Sequence, residues 1–133
     1  MSRKNIVLLI LFGYFHFPIL IAEDILNLQN ISIQADEVLI DKKNRQLAFQ
    51  DNIQIKIDSF IIKGSNAILT QEDEKLTIYG DPTSIQSKKT EGEAKVLVIY
   101  PNKSMDLVGN AKLITNGNLI TSDLITYQIT SNE

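Results

Sequence analysis

The chain has 133 residues, 44% of them hydrophobic, with 13 basic and 16 acidic side chains, one His and neither Cys nor Trp. That length holds one domain at most, and a formal charge of −3 leaves no basic footprint for a nucleic-acid partner. Without Cys there is no disulfide framework, thiolate metal site or thiol nucleophile, and the lone imidazole, His16, lies in an apolar N-terminal run, which removes His-based triads and most zinc sites from any exported domain.

Arg3 and Lys4 precede an apolar stretch from Ile6 to Ala22, after which Glu23 and Asp24 open a polar region. A basic flank, an apolar segment and a small residue at the boundary describe an export signal. Residues 1–22 are expected to be a signal peptide cleaved after Ala22. An uncleaved anchor is the alternative, because the run is close to bilayer-spanning length; Gly13, His16 and Pro18 interrupt it and favour cleavage. Residues 23–133 then form the exported domain, with 11 basic and 16 acidic groups. No later segment is apolar enough to cross a membrane as a helix.

The exported part reads as strand throughout. Only five Ala occur after Ala22, while Ile, Val and Thr are abundant, a composition that favours sheets. Ile31 and Ile33 flank Ser32; Leu47 and Phe49 lead into Ile53, Ile55 and Ile57, the last three separated by Gln54 and Lys56. Period-two alternation puts one face on a core and the other in water. Turn-like compositions fall at Asp41–Asn44, Gln71–Glu74, Lys88–Gly92, Pro101–Lys103 and Asn116–Asn118, leaving long antiparallel strands joined in sequence.

A 29-residue shift lays the sequence on itself. Val38, Ala67, Val96 and Ile125 coincide, then Ile40, Leu69, Val98 and Tyr127; Leu47, Leu76 and Met105 align in the second half of each unit, followed by Phe49, Ile78 and Leu107. Next come Gln50-Asp51-Asn52, Tyr79-Gly80-Asp81 and Val108-Gly109-Asn110, whose Gly, Asp and Asn tolerate positive φ and predict bends or bulges. Bends at equal intervals would fold every hairpin at one level, giving two facing sheets that stack as an open array.

The run Ile31–Asp36, the Leu47–Ile55 segment, Glu91-Gly-Glu-Ala94, Leu107–Leu113 and Ser122–Tyr127 resemble the OstA/LptA family of periplasmic lipopolysaccharide-transport proteins, over about residues 30–128. The resemblance implies an all-β, open antiparallel β-jellyroll, located in the periplasm, that carries lipopolysaccharide from inner-membrane to outer-membrane export proteins. An apolar trough between the sheets would receive the lipid A acyl chains, and its expected lining is Ile31, Ile33, Leu47, Phe49, Ile53, Ile55, Ile57, Leu76, Ile78, Val96, Leu107 and Tyr127. In a closed sandwich the same side chains would be ordinary core; the two roles are compatible. A structural repeat binding only protein partners, or a membrane-anchored member of the same pathway, are the alternatives.

Other candidates are weaker. Glu72, Asp73 and Glu74 offer oxygens to a hard cation but sit in a turn without the spacing of a known calcium loop. Glu91 and Glu93 share a strand face, yet no carboxylate partner at glycosidase geometry can be named. Lys42, Lys43 and Arg45, with Lys88 and Lys89, form basic turns that could meet lipid A phosphates or simply aid solubility. Asn30-Ile-Ser32 matches a glycosylation acceptor, a weak three-residue signal. No nucleophile–base pair emerges, so neither enzyme activity, a cofactor nor a metal is expected. The edge segments Ile31–Ile40 and Leu119–Ile129 contain no Lys and no Pro, the usual guards of an edge. They are expected to pair with export proteins, or head to tail with another copy, by strand addition.

Overall fold

The computed structural model describes residues 31–101 and 103–128, and within them every regular element is a strand. The N-terminal segment 1–22, signal or anchor, lies outside the described residues. The strands are β1 (Ile31–Gln34), β2 (Glu37–Asp41), β3 (Gln46–Ile57), β4 (Phe60–Thr70), β5 (Lys75–Gln86), β6 (Thr90–Tyr100), β7 (Ser104–Thr115) and β8 (Asn118–Gln128). They form one sheet in the order β1-β3-β4-β5-β6-β7-β8, with β2 also pairing β3, and every pairing is antiparallel. From β3 onward the path is a meander in which each strand pairs with the next.

Every ladder from β3/β4 to β7/β8 is interrupted once near its middle: between Gln50 and Ile53, Lys63 and Asn66, Tyr79 and Thr83, Glu93 and Val96, and Val108 and Ala111. Asp51, Asn52, Gly109 and Asn110 adopt positive φ there, the left-handed conformation that Gly, Asn and Asp reach at least cost. The expected bends near Asp51, Gly80 and Gly109 are where the strands break register. β1 and β2 act as one strand bent at the same level. The Asp36 N–H donates to the Asp51 carbonyl at 3.0 Å, and the Asn52 side-chain amide donates to the Asp36 carboxylate at 2.7 Å.

The interruptions divide the sheet into two halves. The upper half holds β2 and the parts of β3–β8 that pair along Gln46–Gln50, Asn66–Thr70, Lys75–Tyr79, Val96–Tyr100, Ser104–Val108 and Leu124–Gln128; the lower half holds β1 and the remainder. Buried residues from both halves form one apolar cluster that includes Ile33, Phe49, Ile55, Ile62, Ile78 and Leu107. Burying each such side chain contributes about 1.5–3 kcal/mol. Turns at 42–45 and 71–74 and the hairpin that pairs Tyr100 with Ser104 close the upper end, and the turns at 58–59, 87–89 and 116–117 close the lower end. The two-residue turn Asp58–Ser59 carries no Gly, and Asp58 itself takes φ 52°, so no punctuating dipeptide marks it in the sequence.

One expectation is overturned. Val96 faces outward, paired between Tyr79 and Val108, which are 43% and 38% exposed, while Leu97 and Ile99 are the buried residues of β6. The inward series is Val38, Ala67, Leu97 and Ile125. The cause is a single added residue. The β5 bend skips Gly80, Asp81 and Pro82, whereas β3 skips only Asp51 and Asn52, and β7 only Gly109 and Asn110. The hairpin after Tyr100 then uses three residues where those after Asp41 and Thr70 use four, which returns Met105 and Leu107 to the inner face. A one-residue slip exchanges the two faces of a strand, and here it runs from the β5 bend to the end of β6: Thr83 and Ile85 are buried where the repeat aligns them with the outward Gln54 and Lys56.

Candidate functional site: an apolar trough between the sheet halves

The inner faces are lined almost wholly by aliphatic side chains because the parity of each strand is continuous up to its bend and resumes beyond it. Of the expected lining, Ile31, Ile33, Leu47, Phe49, Ile53, Ile55, Ile57, Leu76, Ile78 and Leu107 all lie on this face and are buried. Tyr127 is half-buried at the β8 edge and meets Phe60 edge-on. Val96 is outside. Sequence reasoning missed Phe60, Ile62, Leu69, Ile85, Leu97 and Ile99, among others; the runs Phe60-Ile61-Ile62 and Val96-Leu97-Val98-Ile99 are apolar on both faces, so alternation gives no contrast there. The polar members of the interior are few. Thr83 directs its hydroxyl toward the Ile78 and Lys95 carbonyls at 3.5 and 3.4 Å, where the bend of β5 frees them, and the hydroxyls of Thr90 and Thr115 lie 3.3 Å apart.

The two edges of the trough differ. At the β1/β2 edge the inward side chains Ile31, Ile33 and Val38 are covered. At the other edge Ile120 pairs with Leu113, which is 4% exposed and points inward, yet Ile120 itself is 44% exposed. The inner face therefore reaches solvent along the lower part of β8. Gly92 lies in the same row, on the other side of Leu113, and a Cβ there would come within 3.1 Å of Ile85, Leu113 and, from the upper half, Leu107, so the absence of a side chain at Gly92 lets the halves fit together at that point.

The remaining candidates are dispersed. Glu72, Asp73 and Glu74 are exposed in the 71–74 turn, and among the described residues no group of three or more acidic or His side chains could hold a metal ion. Glu91 and Glu93 sit on the outer face of β6 on either side of Gly92. Lys42, Lys43 and Arg45 occupy an upper turn, where the Arg45 guanidinium donates to the Gln71 side chain at 2.6 Å; Lys88 and Lys89 occupy a lower turn. The two basic turns lie at opposite ends of the strands and do not converge on one headgroup. Asp41 accepts from the Asn44 backbone N–H at 3.0 Å and from its side-chain amide at 2.8 Å; these bonds, the backbone one foremost, hold its carboxyl below the usual range.

A comparison with curated proteins returns no match. Among solved structures the fold is similar to the crystal structure of LptH, described as the LptA homologous periplasmic component of the conserved lipopolysaccharide transport device from Pseudomonas aeruginosa. The TM-score is 0.70 at 22% sequence identity, covering 77% of this chain and 78% of that one. Residues 32–133 match the family described as "LptA/(LptD N-terminal domain) LPS transport protein". With that match spanning the bent sheet and its inner face, the chain belongs to this LPS transport family.

Proposed function

We propose that this chain is a periplasmic carrier that receives lipopolysaccharide acyl chains between its sheet halves and passes the lipid from inner-membrane to outer-membrane export proteins. The observation that carries the reading is the inner apolar face emerging into solvent at Ile120. Burying an acyl chain of about 12 carbons is worth roughly 9 kcal/mol at about 0.8 kcal/mol per CH₂. Several chains fully enclosed would not leave, so a carrier needs partial burial along an open side, and an open β8 edge supports that. Export proteins or a further copy would add strands at the β1/β2 and β8 edges, which lack Lys and Pro. The test is a photoactivatable residue at Ile120 in intact cells, with mass spectrometry of the adduct. Lipopolysaccharide cross-linked from position 120 and not from Lys56 on the outer face is expected; equal labelling from both would defeat the trough reading.

A further inference from the structure

The rims of the inner face are not equivalent. Its uppermost row, running through Leu47, Leu76, Ile99 and Met105, is apolar from β2 to β7. Its lowest row changes character across the sheet. Ile31, Ile57 and Phe60 on β1, β3 and β4 are apolar and buried, whereas Thr90, Thr115 and Asn118 on β6, β7 and β8 are polar. Cover is lost along that polar stretch: Thr90 is buried, Thr115 half-buried and Asn118 exposed. Asn118 stands two residues, about 7 Å, below Ile120 on the same face of β8, so the polar rim adjoins the place where the apolar interior reaches solvent. The turn between β5 and β6 brings Lys88 and Lys89, both exposed, to this rim. The Ser87 N–H donates to the Thr90 carbonyl at 2.7 Å, and the Asn116 N–H donates to the Lys89 carbonyl at 3.4 Å, which ties the turn to its β7/β8 neighbour. Among the three lower turns the only acid is Asp58, at the apolar end of the row. The upper basic turn lacks that isolation: Arg45 is bonded to Gln71, whose turn continues with Glu72, Asp73 and Glu74.

We infer that this lower rim, with Lys88, Lys89, Thr115 and Asn118, seats the phosphorylated sugar headgroup of the lipid, whose chains run from it past Ile120 into the trough. The inference rests on the trough reading and adds to it an orientation and a set of polar contacts. Ammonium groups hold phosphate oxygens through charge-assisted hydrogen bonds. Hydroxyl and amide groups both donate and accept, as pairing with sugar hydroxyls requires. From β6 to β8 is two strand spacings, about 10 Å, a width that suits a sugar carrying phosphate. A free phosphate ion on the lysines would leave Asn118 unused. Turned end for end, the headgroup would meet the apolar upper row, where an unpaired phosphate is costly to bury, or the acids of the 71–74 turn.

The experiment compares binding of bisphosphorylated lipid A with binding of its phosphatase-treated form. Wild type is expected to prefer the phosphorylated lipid by about tenfold or more. Lys88→Glu/Lys89→Glu should lose that preference while binding the dephosphorylated lipid as wild type does. Lys42→Glu/Lys43→Glu makes the same change in net charge at the opposite end of the strands and should keep the preference. All four lysines are exposed in turns, so both variants should retain the β-sheet circular dichroism of wild type. Asn118→Leu should weaken the phosphorylated lipid severalfold, and millimolar inorganic phosphate should not displace it. A wild-type preference that survives reversal at Lys88 and Lys89, or that falls equally with Lys42 and Lys43, overturns the inference and leaves the trough standing. So does full displacement by phosphate, which would assign the lysines to the free ion. A wild type that binds neither lipid defeats the trough reading itself, and the headgroup site with it.

Discussion

Phe60 and Tyr127 meet edge-on, with ring centroids 6.0 Å apart and planes at 82°, one at the lower end of β4 and the other near the upper end of β8. The contact therefore joins the two halves of the bent sheet next to the edge where the interior opens. Edge-to-face aromatic pairs contribute about 0.5–1.5 kcal/mol beyond area burial. A double-mutant cycle of Phe60→Leu and Tyr127→Leu, read by urea denaturation, is expected to give a coupling in that range. Additive losses would mean that the rings do not tie the halves together.

The one-residue shift in β6 makes a sharp comparison of neighbours. Leu97→Ser leaves a polar group and a cavity in the interior and is expected to cost about 3 kcal/mol or more. Val96→Ser, on the outer face, should cost less than about 1 kcal/mol in dilute protein. Chemical denaturation of both variants decides the register: a larger loss at Val96 would restore the strict 29-residue spacing.

That shift also marks how far the sequence could be read. Alternation fixed the inner parity of β3, β5 and β7, because their isoleucines and leucines are separated by polar residues such as Gln54 and Thr77. In β6 the run Val96-Leu97-Val98-Ile99 is apolar on both faces, so local alternation has no contrast and only the repeat can assign parity. The repeat failed there because the added residue in the β5 bend and the shortened turn at 101–103 cancel, leaving the overall period intact on either side. The exposed inward position of Ile120 was invisible for a different reason. It depends on which opposing strand covers which, a property of how the halves cross and not of any one strand's pattern.

Gly64 tests how closely the halves of the β4/β5 ladder approach. A Cβ there would lie 2.6 Å from Ile78 Cγ2 and 2.8 Å from the Tyr79 carbonyl oxygen. The second neighbour is backbone and cannot rotate away, so Gly64→Ala is expected to cost about 1–3 kcal/mol from overpacking. Gly117→Ala meets no atom within 4 Å, and only its φ of +81° resists the change, for about 1–2 kcal/mol. Differential scanning calorimetry should show the loop variant retaining its cooperative transition. A neutral Gly64→Ala would mean that the ladder has room it does not show.

The turn after β2 carries a pH signature. Asp41 is bonded by the Asn44 backbone N–H and side-chain amide in the folded chain, so its folded pKa lies below its unfolded one. Its contribution to stability is complete above the unfolded pKa and is lost as pH falls through the folded value. An NMR titration should place the Asp41 midpoint below that of an unstructured Asp, and Asn44→Ala should raise it. Equal midpoints in the two proteins would break the link between the turn and the acid.

The trough calls for a variant that changes its chemistry without dismantling the core. Phe49 is 1% exposed, so a charge there is a buried unpaired ion and endangers the fold before it reports on any ligand. Ile120 avoids this difficulty, since it points to the inner face yet keeps 44% of its surface in water. Ile120→Asp can hydrate its carboxylate in the free protein, with an expected stability loss below about 1 kcal/mol. An acyl chain entering past β8 would have to strip that hydration or forgo contact with several methylenes at about 0.8 kcal/mol each. Losing two such contacts corresponds to roughly a tenfold weaker complex. Lipopolysaccharide binding measured by displacement of a fluorescent acyl probe should therefore weaken about tenfold or more in Ile120→Asp, while Lys56→Asp on the outer face leaves it unchanged. Equal affinity in a folded Ile120→Asp protein would move lipid entry away from the β8 edge.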